Sequence, residues 1–221
     1  MLCMGEISPQ LADNEAWVDQ TFEKCDDILH RQVYLGQGRQ EGLLVYVEVA
    51  VSNLMLEEHV IGLSDVQPLK SYAEGKAALL AGNGLLFLDG DTNCYKISSK
   101  GYPGLGVKKA ENEKVIRGSQ EAFTESEKIN VALIRKRLRD SRMKVEEQTV
   151  GVRSHTMTAL VYMEDLIYQG LLTTMKQQLQ RYEIDGILDS GMLEQLSEKH
   201  WLSPFPQFQT TERPDRAAAG S

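Results

Sequence analysis

LLVYVEVAVS (residues 43–52) and ALVYMEDLIY (residues 159–168) are two versions of one phrase, with Val161 lying 116 residues (161 − 45) beyond Val45 and Glu164 answering Glu48. That spacing is about the size of one small domain. In the first copy Val45, Val47, Val49 and Val51 alternate with Leu44, Tyr46 and Glu48. Because successive strand residues point to opposite faces, this predicts a strand that is apolar on both sides.

The surroundings of the two copies follow the same order. A helix is expected over 14–26, with Asn14 as its cap, followed by strands over 29–35 and 43–51 joined through GQGRQEG. In the second copy Thr124 and Glu127 have the spacing of a capping box, ahead of a helix carrying Ile129, Leu133 and Leu138. Strands are then expected over 145–152 and 157–163. Gly36 and Gly151 mark the two turns. Between the copies, helices are expected over 53–62 and 73–81, and LLFLDGDTNCYKI (85–97) reads as a hairpin turning at Asp89-Gly90-Asp91.

After the second copy Leu171, Leu172, Met175, Leu179 and Tyr182 form a helical stripe, and Asp189 or Ser190 caps a further helix running to about His200. Residues 99–120, rich in glycine and charge, read as a linker; their GYPGLG lacks the Lys-Ser/Thr pair of a phosphate loop.

The expected fold class is therefore α/β (α+β), with two small α/β lobes joined by a linker. Each lobe has a mixed or antiparallel sheet flanked by helices. The first lobe covers 1–100, the linker 101–120 and the second lobe 121–211, each with its LVY strand buried. Residues 212–221 begin a connection onward, and Gly220-Ser221 reads as a cloning scar on a fragment of something longer.

Composition narrows the function. The chain is 42% hydrophobic, enough for a core, and its formal charge of −8 argues against nucleic acid as a partner. No run of about 20 apolar residues is present, and no secretory leader is visible. Cys3, Cys25 and Cys94 are scattered and odd in number, as expected of reduced thiols.

His30, His59, His155 and His200 form no ligand spacing with one another or with the cysteines, so neither a metal nor another cofactor is expected. Glu48 and Glu164 would be paired carboxylates if both reached one cleft, but no other catalytic group accompanies them. They read as strand-exit residues, solvated or capping the next helix, and the chain as no enzyme. The basic run Arg135, Lys136, Arg137, Arg139 and Arg142 reads either as a complement to a helix C-terminus or as a patch facing anionic lipid.

Several strings in the second half carry a family resemblance: VIRGSQEAFTES, INVALIRKRLRD, KVEEQTVGVRSHTMTALVYME, IDGILDSGMLEQL and SPFPQFQTTERPDR. Together they resemble the A subunits of bacterial spore germinant receptors, the GerA family, with GLLFLDG and GYP agreeing more loosely in the first half. Ser119 stands where the family usually has Pro, and Ala122 where it usually has Gly.

The resemblance implies the N-terminal soluble region of a membrane protein, on the core side of the spore inner membrane. It also implies B and C subunits as partners, and a role coupling nutrient detection to ion release. The candidate coupling or interface residues are Arg117, Gly118, Gly151 and Arg153, with Ser203, Pro204, Pro206, Gln207, Glu212, Arg213, Pro214 and Asp215 at the exit. Pro214 suits the first turn of a helix, with Asp215 favourable beside its N-terminus. The alternative is a two-lobed module that closes on a small-molecule nutrient.

Overall fold

A computed structural model describes residues 5–36, 39–49, 66–98, 121–180 and 209–220 of the chain. The expected helices over 53–62 and 189–200 and the expected linker lie outside these residues. So do Arg117, Gly118, Ser203, Pro204, Pro206 and Gln207.

Helix α1 (Leu11–Thr21) leads through a short turn into β1 (Ile28–Leu35), which pairs antiparallel with β2 (Gln40–Val47). Strand β3 (Val66–Leu69), helix α2 (Tyr72–Leu80) and the hairpin β4 (Gly84–Leu88) to β5 (Cys94–Ile97) complete a five-stranded sheet in the order β1-β2-β4-β5-β3. Strand β2 lies between β1 and β4, and every residue from Gly42 to Val47 is buried. That position is why its sequence is apolar on both faces.

Helices α1 and α2 pack on this sheet. Trp17 stacks on Tyr72 with ring centroids 4.6 Å apart. The Tyr72 hydroxyl donates to Asn14 Oδ1 at 2.7 Å, and Asn14 Nδ2 donates to the Ser8 carbonyl at 2.9 Å. A fully buried asparagine is thus satisfied from both sides. Strand β3 has no counterpart among the expected elements. Its place at the sheet edge accommodates the proline: Pro68 has no N–H to give, and among the described residues β3 pairs only with β5.

The second half opens with α3 (Glu127–Arg137), followed by the hairpin β6 (Met143–Val150) to β7 (Thr156–Met163), then α4 (Gln169–Gln180) and α5 (Pro214–Ala219). Mixed α/β architecture with antiparallel sheets flanked by helices is what the repeated phrase led us to expect.

The repeat is close in geometry. Eight residues face eight in each hairpin, from Ile28↔Val47 to Leu35↔Gln40 and from Met143↔Met163 to Val150↔Thr156. Each turn opens on a left-handed glycine, Gly36 (φ 67°) or Gly151 (φ 83°), and closes on a left-handed non-glycine, Arg39 (φ 49°) or His155 (φ 46°). At the base of each hairpin the residue after the second strand donates back to the residue before the first: Glu48 N–H to Asp27 O and Glu164 N–H to Arg142 O, both at 2.9 Å.

The copies differ in burial. Among the described residues β7 pairs only with β6, and of its residues only Tyr162 is buried. The second LVY strand is thus half-exposed and not the buried sheet member expected.

Candidate functional site

The two halves meet at α3. Its N-cap is Ser126, whose hydroxyl accepts from Ile129 N–H at 3.5 Å, in place of the expected Thr124–Glu127 box. Thr124 is occupied otherwise, exchanging bonds with the Asn130 side chain at 2.7 and 2.8 Å. From that start α3 turns Ala132 into the core of the first half and Val131 toward β6.

Between them sits Arg135, fully buried. Its Nε and Nη2 donate to the two carboxylate oxygens of Asp27 at 2.8 and 2.7 Å. Nη1 donates to the Asp140 and Met143 carbonyls at 3.1 and 3.0 Å. A planar fork matched to a carboxylate is the geometry in which arginine holds a buried partner best. Burial, the largest single influence, pulls the Arg135 pKa down, but the Asp27 charge and its hydrogen bonds, with the nearby Cys25, together outweigh it and hold the guanidinium above its ordinary value.

Around this pair the backbone is stitched across the halves. Val145 N–H donates to Lys24 O and Asp26 N–H to Val145 O, both at 2.9 Å, so Cys25 and Val145 form a parallel bridge. Asp26 Oδ2 accepts from Glu147 N–H at 2.7 Å, and Lys128 Nζ reaches Glu48 Oε1 at 2.5 Å. Burial, the leading cause, raises the Glu147 carboxyl, Lys128 opposes the shift, and Glu48 adds to it.

The basic run is therefore not one lipid-facing patch. Arg135 is inside, which removes it from any membrane surface. Lys136 and Arg137 both hold Glu121, at 2.9 and 2.5 Å, and these bonds lower its carboxyl pKa. Arg139 Nε donates to the Lys136 carbonyl, and Arg142 pairs with Asp140 and Asp165, each at 2.6 Å. Glu48 and Glu164 do not share a partner: Lys128 holds the first, and Lys144, 3.4 Å away, faces the second. Among the described residues no group of three or more His, Cys, Asp or Glu side chains could hold a metal ion.

The exit segment lies against the same helix. Phe123 N–H donates to the Glu212 carbonyl at 2.8 Å, and α5 packs on α3. Pro214 is buried at the first turn of α5, and Arg213 pairs with Asp215, which lowers the Asp215 carboxyl pKa. Glu212, Arg213, Pro214 and Asp215 are thus brought together on α3. Gly151 and Arg153 are not, since they occupy the β6–β7 turn, at the far end of β6 from Met143.

The Asp27–Arg135 pair escaped the sequence reading. One signal was present: Val131, Arg135 and Leu138 fall on one helical stripe, which places an arginine on an apolar face.

A profile described as "Bacillus/Clostridium GerA spore germination protein" matches residues 50–220. The chain belongs to the GerA spore germination family. It is 31% identical, over 96% of its length, to the Bacillus subtilis uncharacterized membrane protein YfkQ, and 28% identical over 96% to the Bacillus subtilis spore germination protein KA. It spans 46% and 43% of those two relatives, less than half of each.

The fold matches the N-terminal domain of the A subunit of the Bacillus megaterium spore germinant receptor GerK3, with a TM-score of 0.71 at 22% identity. That match covers 98% of this chain and 89% of the other. No helix among the described residues of this GerA chain is long and apolar enough to cross a membrane.

Proposed function

We propose that this GerA-family chain is the non-catalytic N-terminal region of a nutrient germinant receptor A subunit, coupling nutrient sensing to ion release during spore germination. In this reading residues 1–100 and 121–211 form two lobes joined by 101–120, and residues 212–221 lead toward a membrane part. The B and C subunits of the receptor are its partners, and the region lies on the core side of the spore inner membrane.

The observation that carries the reading is that one helix is shared. Helix α3 is tied to the first half through Arg135–Asp27 and Lys128–Glu48, and on it rides α5, the described end of the chain. A displacement of the first half is thereby delivered to the exit through packed side chains and short bonds, with no loose tether between them.

Ser203, Pro204, Pro206 and Gln207 precede α5 in the chain, and the prolines make this segment a further candidate part of the same coupling. The test replaces residues 203–207 with a Gly/Ser stretch of equal length in the full-length receptor. Nutrient response is lost while receptor abundance stays normal. Full germination at normal abundance refutes the reading.

A further inference from the structure

The internal repeat supplies a template for an interface that the chain itself leaves half-used. In the second half, the groove between α3 and β6 is filled: the segment Lys24–Asp27 bonds to both sides of Val145, and Asp27 grips Arg135. In the first half, the equivalent groove between α1 and β1 is an open cavity of about 340 Å³ lined in part by Val18, Asp19, Phe22, Ile28, Leu29 and His30.

The correspondence is fixed by backbone bonds. Phe22 closes α1 by donating to Val18, as Leu138 closes α3 by donating to Ile134, so Asp19 occupies the place of Arg135. The Cys25–Ile28 turn matches the Asp140–Met143 turn, and Asp27 and Arg142 each accept from the glutamate at the hairpin base. Arg142 thus occupies the place of Asp27, and His30 on the edge strand β1 occupies the place of Val145.

The buried pair of the junction is Asp27 with Arg135; its repeat equivalent is Arg142 with Asp19, the same ion pair with the charges exchanged. Both are accessible, with side chains 56% and 63% exposed. Arg142 is held by Asp140 and Asp165, whereas Asp19 Oδ1 lies 3.8 Å from His30 Nδ1, with Glu15 facing the same imidazole. Helix α1 also presents Ala16, exposed, where α3 presents the buried Ala132.

We propose that the α1–β1 groove is the docking site for the Arg139–Arg142 turn of a second copy of this chain. In that contact Arg142 pairs with Asp19 and the turn backbone runs parallel to β1 at His30, as Lys24–Asp26 runs at Val145. The contact is heterologous: each copy offers a groove on its first half and a turn on its second. Repetition therefore gives a ring where the rotation closes and a filament where it does not. The proposal stands on the repeat geometry and is independent of the germination reading.

Sedimentation velocity of the 221-residue chain over a range of concentrations reads it. Wild type self-associates with concentration. Asp19→Arg and Arg142→Asp each weaken association by about tenfold or more, because like charges then face each other at every contact. An equimolar mixture of the two variants regains it, since every contact between unlike variants again faces opposite charges. Recovery also excludes misfolding of either variant. A chain that stays monomeric throughout, association unchanged by either substitution as with a small-molecule groove, or a mixture that fails to recover overturns the proposal.

Discussion

Removing the Asp27 carboxylate while leaving Arg135 in place strands a cation inside the protein. Arg135 is fully buried and the Asp27 side chain is 7% exposed. Asp27→Ala takes away two charge-assisted bonds of 2.7 and 2.8 Å and leaves the guanidinium only the carbonyls of Asp140 and Met143. Breaking one side of such a pair costs about 3–5 kcal/mol, most of it the penalty for an uncompensated buried charge.

For a chain of this length each kcal/mol moves the melting temperature by roughly 2–4 °C, so a fall of about 6–20 °C is expected by differential scanning calorimetry. Arg135→Met should cost a similar amount, because Asp27 is then the stranded charge. The double variant Asp27→Leu/Arg135→Met should recover most of the loss, since an apolar pair of similar volume carries no desolvation penalty. Singles costing less than about 1 kcal/mol, or a double whose loss equals the sum of the two, would refute the assignment of Arg135–Asp27 as the buried tie between the halves.

Three further outcomes are expected. Ser126→Ala, which removes the α3 cap, should cost about 0.5–2 kcal/mol in urea denaturation, whereas Thr124→Ala, which keeps the backbone bonds to Asn130, should cost less. Burial pushes the Cys94 thiol up to about 12, so it should resist iodoacetamide at pH 8 in the native chain and react only on unfolding; rapid native labelling traced to Cys94 by mass spectrometry would contradict its placement. The Glu121 carboxyl, lowered by the bonds from Lys136 and Arg137, contributes stability that is complete above its unfolded pKa of about 4.3 and lost as pH falls through the lower folded value. Glu121→Gln should therefore flatten the acid limb of the stability–pH curve, and an unchanged limb would show the bonds to be worthless in solution.

The elements were legible where local chemistry decides them. Alternation of apolar residues announced β2, the glycines at 36 and 151 announced turns that need left-handed backbone, and Pro214 with Asp215 announced the start of α5. Local pattern misled where position in the sheet mattered. The LVY phrase suggested equal burial for β2 and β7, although among the described residues β2 has a strand on each side and β7 has one on a single side.

The repeat could be read from hydrophobic period and turn glycines, and the resemblance to the GerA family from its strings, because all of these are properties of the order of residues. Which basic residue turns inward could not. Arg135, Lys136 and Arg137 are chemically alike in sequence, and only the meeting of α3 with the Asp27 carboxylate, 108 positions away, selects one of them for burial. That choice is made by distance and desolvation in three dimensions. A guanidinium enters the core only where a carboxylate and carbonyls already wait at hydrogen-bonding range.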